Sequence, residues 1–153
     1  MCDRFTVDVG RDWADLLTPF NYYRLHTRGF RLDVVCHTGA EIAPGTVIYP
    51  QIMAVNGQNT NARRREGGGP VYIGAPSLVV EIYAQTAADT DYETSRAQFA
   101  KAGILEFLAW GREPGNPLWH RLDGGAYRIV EEDGDGFIKS TALPGCWLDV
   151  KAL

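Results

Sequence analysis

The sequence predicts one mixed α/β domain spanning residues 1–153, and three observations carry that prediction. The nearly continuous apolar run from Ser77 to Ile82 has the pattern of a central strand buried on both faces. A helix start at Thr90 and a second apolar run from Ile104 to Trp110 follow it, so strand, helix and strand make a crossover unit, right-handed within one sheet. The 17 Gly and 8 Pro place many turns between short elements rather than a few long helices.

Taken in order, Phe5 to Val9 alternates apolar and polar residues as an edge strand does. Asp12 to about Arg28 then sets Trp13, Leu16, Leu17, Phe20 and Leu25 near helical spacing, with Pro19 predicting a kinked or two-part helix. Arg31 to Cys36 and Gly45 to Val55 read as two neighbouring strands, bounded by the turn pairs Pro44-Gly45 and Asn56-Gly57. Residues 57–69 are rich in Gly, Asn and Arg, lose all periodicity and read as a loop. After the Ser77 strand, Thr90-Asp91-Tyr92-Glu93 matches the capping box, where a hydroxyl and a Glu three residues later satisfy free backbone donors. The helix runs to about Ala102, and Gly103 suits the left-handed cap. Leu118 to Leu122 and Ala126 to Val130 flank Asp123-Gly124-Gly125, a strong hairpin signal, and Gly134 to Gly136 with Pro144-Gly145 bound the last strands.

Composition narrows the function classes. A hydrophobic content of 45% supplies ample core, and no stretch approaches membrane-spanning length. The N-terminus carries acid at Asp3 and lacks the long apolar run of a secretory signal. Cys2, Cys36 and Cys146 are odd in number and widely spaced, which argues against a disulfide framework or zinc knuckle and for a reducing cytoplasm. A net charge of -4 removes the simple argument for nucleic acid, although a local basic patch or bound metal can hold DNA on an acidic protein.

Four pieces in a fixed order carry a resemblance. They are Pro50 to Val55, Ala75 to Ile82, Asp91 to Gly103, and Leu143-Pro144-Gly145 before Leu148-Asp149-Val150. Together they resemble the Uma-two family of putative restriction endonucleases, within the PD-(D/E)XK nuclease superfamily, most strongly over residues 45–150. The resemblance implies a restriction-endonuclease-like mixed sheet flanked by helices, with a crossover helix after the Glu81 strand and C-terminal β-hairpins. It also implies a magnesium-dependent phosphodiesterase, in which a Pro-Asp strand and a Glu-bearing strand present two carboxylates to the cation. A hard divalent cation takes oxygen ligands, stabilises charge on phosphate and acidifies its bound water, so two acids on adjacent strands are the minimum clamp. A lysine four residues after the helix Asp then steadies hydroxide or phosphate.

Carried over residue by residue, Glu81 stands at the Glu and metal position, and Asp91 at the helix acid. The strand Asp is replaced by Gln51, whose amide offers an oxygen but no charge; the lysine is Ser95, and the serine three residues after the Glu is Ala84. The expected catalytic set is thus Glu81, Gln51, Asp91 and Ser95, with hydrolysis impaired and magnesium weak or absent. Asp91 and Ser95 share a helix face, about 40° apart, whereas Lys101 lies about 120° from Ser95 and makes a poor substitute. Arg96 is about 100° away and can clamp phosphate but not act as a base.

Arg63, Arg64 and Arg65 are candidate DNA contacts along with Arg96, against the ordinary expectation that a charge run in a loop is solvated. Gln51 equally fits a structural amide bridging strands, and Glu81 a strand-end acid bonded to a neighbour. His26, His37 and His120 stand singly and form no metal pair, Glu131 to Gly136 lacks the spacing of a calcium loop, and the four Trp fit core or homodimer interface. Two alternatives to an impaired nuclease stand beside it. One is an active magnesium-dependent endonuclease in which Asp33 or Asp91 joins Glu81. The other is a non-catalytic structural or regulatory subunit.

Overall fold

The computed structural model describes residues 7–28, 31–67, 71–83, 89–113 and 116–152. Its centre is a six-stranded mixed sheet in the order β1 (Leu32–Cys36), β4 (Ile52–Asn56), β7 (Leu78–Ile82), β8 (Glu106–Glu113), β9 (Asn116–Asp123) and β10 (Ala126–Ile129). A small sheet follows the order β3 (Thr46–Ile48), β2 (Gly39–Ala43), β6 (Val71–Ile73) and β5 (Arg63–Arg64). Helix α1 (Val7–His26) precedes β1, α2 (Asp89–Ala102) joins β7 to β8, and β11 (Phe137–Lys139) pairs with β12 (Trp147–Asp149) ahead of a 3-10 turn, Val150–Ala152.

The central strands divide two cores between the faces of the large sheet. On one face Met53, Val55, Val79, Phe107 and Ala109 pack against Tyr92 and Phe99 of α2 and Ala40, Ile48 and Tyr72 of the small sheet. On the other, Ile52, Ala54, Leu78, Val80 and Leu108 pack against Leu16 and Phe20 of α1 and Ile138 and Leu143 near the last hairpin. The two-residue side-chain period of β4 and β7 produces this split, which is why both strands read as continuous apolar runs.

Several local expectations hold for stated reasons. β7 and β8 pair in parallel across α2, as the crossover requires. Gly103 takes φ 78°, and the Gly103 and Ile104 N–H groups close back on the Ala100 and Phe99 carbonyls, ending the helix. Gly124 and Gly125 both take positive φ and join β9 to β10 in the tight turn that suits the twist of a hairpin. Residues 131–136 form a turn in which the Asp133 carboxylate accepts the Asp135 and Phe137 N–H groups and pairs with Lys139, not a calcium loop.

Other expectations are corrected. The strand expected at Phe5 to Val9 is helix from Val7 onward, with Phe5 and Thr6 outside the described residues. Of the kinked or two-part helix expected at Pro19, the two-part form is excluded, since α1 continues through Pro19 as one element with Leu16 and Phe20 buried on either side. Leu25, assigned to the same apolar stripe, is exposed. The strand expected from Gly45 to Val55 breaks at Tyr49 to Gln51, where Pro50 supplies no N–H to a ladder; its first part joins the small sheet and its second the large one. The loop expected over 57–69 contains β5, whose two arginines pair through the backbone with Ile73 and Tyr72. Thr90 lies inside α2, which begins by Asp89, so it is not the cap; residues 84–88 lie outside the described ones.

Glu106 ties the C-terminal segment to the sheet. Its fully buried carboxylate accepts from Ser140 Oγ, from Thr141 N at 2.8 Å and Thr141 Oγ1 at 2.9 Å, and from Arg121 Nε at 3.3 Å. A carboxylate buried this deeply survives because nearly every lone pair is met.

Candidate functional site

The site is set by the antiparallel register of β4 on β7. Ile52 pairs with Val80, and one step further the same register puts Gln51 opposite Glu81. Both side chains then belong to the face of Met53 and Val79, the face that α2 and the small sheet cover. On the far side of β7, Glu81 pairs with the buried Ala109 of β8.

Glu81 is partly buried, and burial alone pushes its carboxyl up to about 8. Its carboxyl has no hydrogen-bond or ion-pair partner among the described residues, so at neutral pH the protonated form dominates. The Gln51 side chain is occupied: Oε1 accepts the Ile82 N–H at 3.3 Å, and its backbone carbonyl accepts the His37 N–H at 3.2 Å. Gln51 thereby links the ends of β1, β4 and β7.

Asp91 is exposed on α2, while Ser95, between the buried Tyr92 and Phe99 on the inward side, is half-buried. Arg96 forms an ion pair with Glu93 at 2.9 Å. Among the described residues no hydrogen bond or ion pair joins Asp91, Ser95 or Arg96 to Glu81. The packing of α2 is fixed instead by Tyr92, whose hydroxyl meets His120 Nε2 at 2.7 Å, and by an edge-to-face contact of Tyr92 with Tyr83, two residues beyond Glu81.

Asp33 is on a strand beside β4, as its candidacy required, but the register pairs it with Val55, four residues and about 13 Å along the strand from Gln51. It accepts a hydrogen bond from Tyr72 at 3.1 Å, with Arg31 Nε at 4.0 Å. Arg63 and Arg64 are exposed on β5, an edge strand of the small sheet, whereas Arg65 forms an ion pair with Glu41. The candidate residues therefore fall in three places: Gln51 with Glu81, the α2 group, and the arginine edge.

Sequence reasoning assigned nothing to His37, which the fold sets beside Gln51. It is exposed, at the end of β1, with φ 48°, a left-handed conformation rare outside glycine. No periodicity marks it, because its position depends on the pairing of β1 with β4. Glu106 was also passed over, although an acid inside the run Ile104 to Trp110 was a visible signal of a buried, partnered carboxylate.

A catalytic magnesium requires oxygen donors with enough negative charge. At this sheet end Glu81 is the one carboxyl the β4–β7 register supplies, the adjacent amide oxygen is already bonded to backbone, and among the described residues no three His, Cys, Asp or Glu side chains are grouped as a metal cage. Among the described residues the donor set does not fit that ion.

Comparison with known proteins adds two findings. The profile of the Uma2 family, described as putative restriction endonuclease, matches residues 9–151. The crystal structure of a putative nuclease belonging to DUF820 from Anabaena variabilis superposes with a TM-score of 0.66 at 12% identity, covering 91% of this chain and 75% of that one. At that identity the likeness concerns the fold. No curated protein matches.

Proposed function

The chain belongs to the Uma2 family of putative restriction endonucleases, and from that premise we propose that it is a nuclease-fold, DNA-directed protein whose Glu81 site has lost phosphodiester hydrolysis. The observation that carries this reading is the pair Gln51 and Glu81. Where two carboxylates would clamp a cation, one position is an amide bonded to the Ile82 N–H and the other a carboxyl raised to about 8. Magnesium binding is then weak, because a single carboxyl must lose its proton before it can serve as a ligand. With Ser95 in place of the lysine, no ammonium steadies a hydroxide or phosphate.

DNA contact falls to Arg63 and Arg64, exposed on an edge strand, while Arg65 and Arg96 are engaged by Glu41 and Glu93. The active-enzyme alternative loses support from the positions of its acids: Asp33 lies along the sheet beside Tyr72, and Asp91 faces solvent. A homodimer in a reducing cytoplasm completes the proposal; the free thiols of Cys36 and Cys146 accord with that compartment. No helix among the described residues is long and apolar enough to cross a membrane.

The test is plasmid cleavage with magnesium or manganese, comparing wild type with Gln51→Asp plus Ser95→Lys. Cleavage by the double variant alone supports the proposal. Nicking by the wild type that Glu81→Ala abolishes overturns it. Light scattering tests the dimer, and electrophoretic mobility shift at low salt, with Arg63→Ala plus Arg64→Ala as control, tests DNA contact.

A further inference from the structure

The outer face of the small sheet presents two rows of side chains that its registers line up. Val47 of β3 pairs with Glu41 of β2, Glu41 with Ile73 of β6, and Ile73 with Arg63 of β5, so these residues point to one side across all four strands. Two residues along, Gly39 pairs with Val71, whose carbonyl accepts the Arg65 N–H at 3.0 Å, and the Tyr49 ring, just past β3, rests on Gly39. A Cβ at Gly39 would come within 2.9 Å of Tyr49 Cε1, so glycine is what lets the ring approach the sheet. Ala40, Ile48 and Tyr72, on the opposite face of the same strands, are buried in the core. The outer rows stay in solvent, with Tyr49 67%, Val47 38% and Ile73 37% exposed.

One edge of this face is cationic. Three inter-strand steps, roughly 14 Å, separate the Tyr49 side from the arginine edge. Arg65 is held in the face by its ion pair with Glu41, whose other oxygen accepts the Gly45 N–H at 3.1 Å, so the one acid of the two rows is engaged. Arg63 is exposed and has no acid partner among the described residues. An exposed ring on the same face as an uncompensated guanidinium is complementary to a partner that carries flat faces and negative charge along one chain. Nucleic acid has both, and its base faces come within reach only where the strand is unpaired, because pairing stacks them away. A second copy of this chain docked here would bury the Arg63 charge against a face whose acid is already taken, which is costly.

We propose that the outer face of the small sheet binds an unpaired stretch of DNA, with a base stacked on Tyr49 and the backbone phosphates held by Arg63 and Arg65. The inference rests on the DNA-directed reading above and adds the form of DNA that is taken; it requires no chemistry at Glu81.

Fluorescence anisotropy at low salt tests it with three labelled probes: a short mixed-sequence single strand, the same strand paired with its complement, and an abasic strand of equal length that keeps the phosphates and lacks the bases. The single strand should bind about tenfold more tightly than either of the others, the ratio one stacked base supplies. Tyr49→Ala should bring the single strand down to the abasic level, and Tyr49→Phe should retain the preference; the ring is exposed, so both cores are left intact. Arg63→Ala should weaken the single and abasic strands alike and lower the salt slope by about one. A single strand bound no better than the abasic one, or unaffected by Tyr49→Ala, overturns the inference, as does a self-association in light scattering that Tyr49→Ala removes without changing DNA affinity. Duplex bound as tightly as the single strand, and lost in Arg63→Ala plus Arg64→Ala, sinks this inference and leaves the DNA-directed reading standing. Failure of all three probes to bind removes both.

Discussion

Gln51 lies across the β4–β7 pair from Glu81 and turns its side-chain oxygen to the N–H of Ile82, the residue that follows the glutamate, at 3.3 Å. The amide thus fills a backbone role next to a carboxyl that has no partner of its own among the described residues. A carboxylate at position 51 could accept the same N–H, but it would bring a second acid beside Glu81. Like charges at that separation are tolerable only with a cation between them.

Glu81 should make stability fall as pH rises. Its folded carboxyl is raised to about 8, whereas an unfolded glutamate titrates near 4.3. Between those values the unfolded chain has released the proton and the folded chain still holds it, so unfolding gains on folding with increasing pH. Urea titrations at pH 5 and pH 8 should show wild type losing on the order of 2 kcal/mol relative to Glu81→Gln, solvent access keeping the figure modest. Parallel profiles for the two proteins would mean that the carboxyl is ionised throughout.

Removing the Glu106 carboxylate should be among the most damaging single changes. Glu106→Ala strands the Ser140 and Thr141 donors and the Arg121 guanidinium, at a cost of about 3–5 kcal/mol. Glu106→Gln retains an acceptor and should cost less. Denaturation midpoints check the order, and a loss under about 1 kcal/mol for the alanine variant would remove the clamp from the account of stability.

Gly111 is required where β8 bulges against the end of β7. It takes φ 81°, and a Cβ there would meet the Tyr83 carbonyl oxygen at 2.5 Å, backbone that cannot swing aside. Gly111→Ala should cost about 2 kcal/mol or more, read as a lowered melting temperature. Gly124→Ala, with nothing within 4 Å of the added methyl, pays only the conformational part and should fall less.

The Tyr92 and His120 pair should confer acid sensitivity. Burial lowers the imidazole's affinity for a proton, while Nδ1 is bonded to the Phe107 and Leu118 carbonyls and Nε2 accepts from Tyr92. Because the folded value lies below that of an unfolded histidine, stability present above about pH 6.5 is lost as pH falls below it. Tyr92→Phe should cost about 1–3 kcal/mol at pH 7.5 by leaving Nε2 unmet. His120→Gln should flatten the acid limb of the denaturation midpoint; an unchanged limb would assign acid sensitivity to other groups.

Position 51 illustrates what remained out of reach in the chain itself. Gln51 was visible as a departure from a two-carboxylate pattern, but that its oxygen serves Ile82 depends on a register set by β4 and β7 together. Asp33 fitted as a replacement acid so long as its strand lay beside Pro50 to Val55; the strand does lie there, and the antiparallel direction still carries Asp33 to Val55. Arg63 to Arg65 looked like one run of equal charges, yet pairing on β6 and the Glu41 side chain separate the third from the first two.

By itself the sequence determined the features that a few neighbouring residues can dictate. The buried strand around Glu81, the crossover helix ending at Gly103, the hairpin at Gly124-Gly125 and the last strand pair follow from side-chain periodicity and from the backbone freedom of glycine. Tertiary structure alone decided which residues stand together and what charge they carry. The neutral Glu81, the occupied Gln51, the buried clamp on Glu106 and the rows that set Tyr49 and Arg63 on one face depend on burial and partners contributed by elements distant along the chain. No local pattern encodes a dielectric environment or an inter-strand register, because both arise only when the layers close.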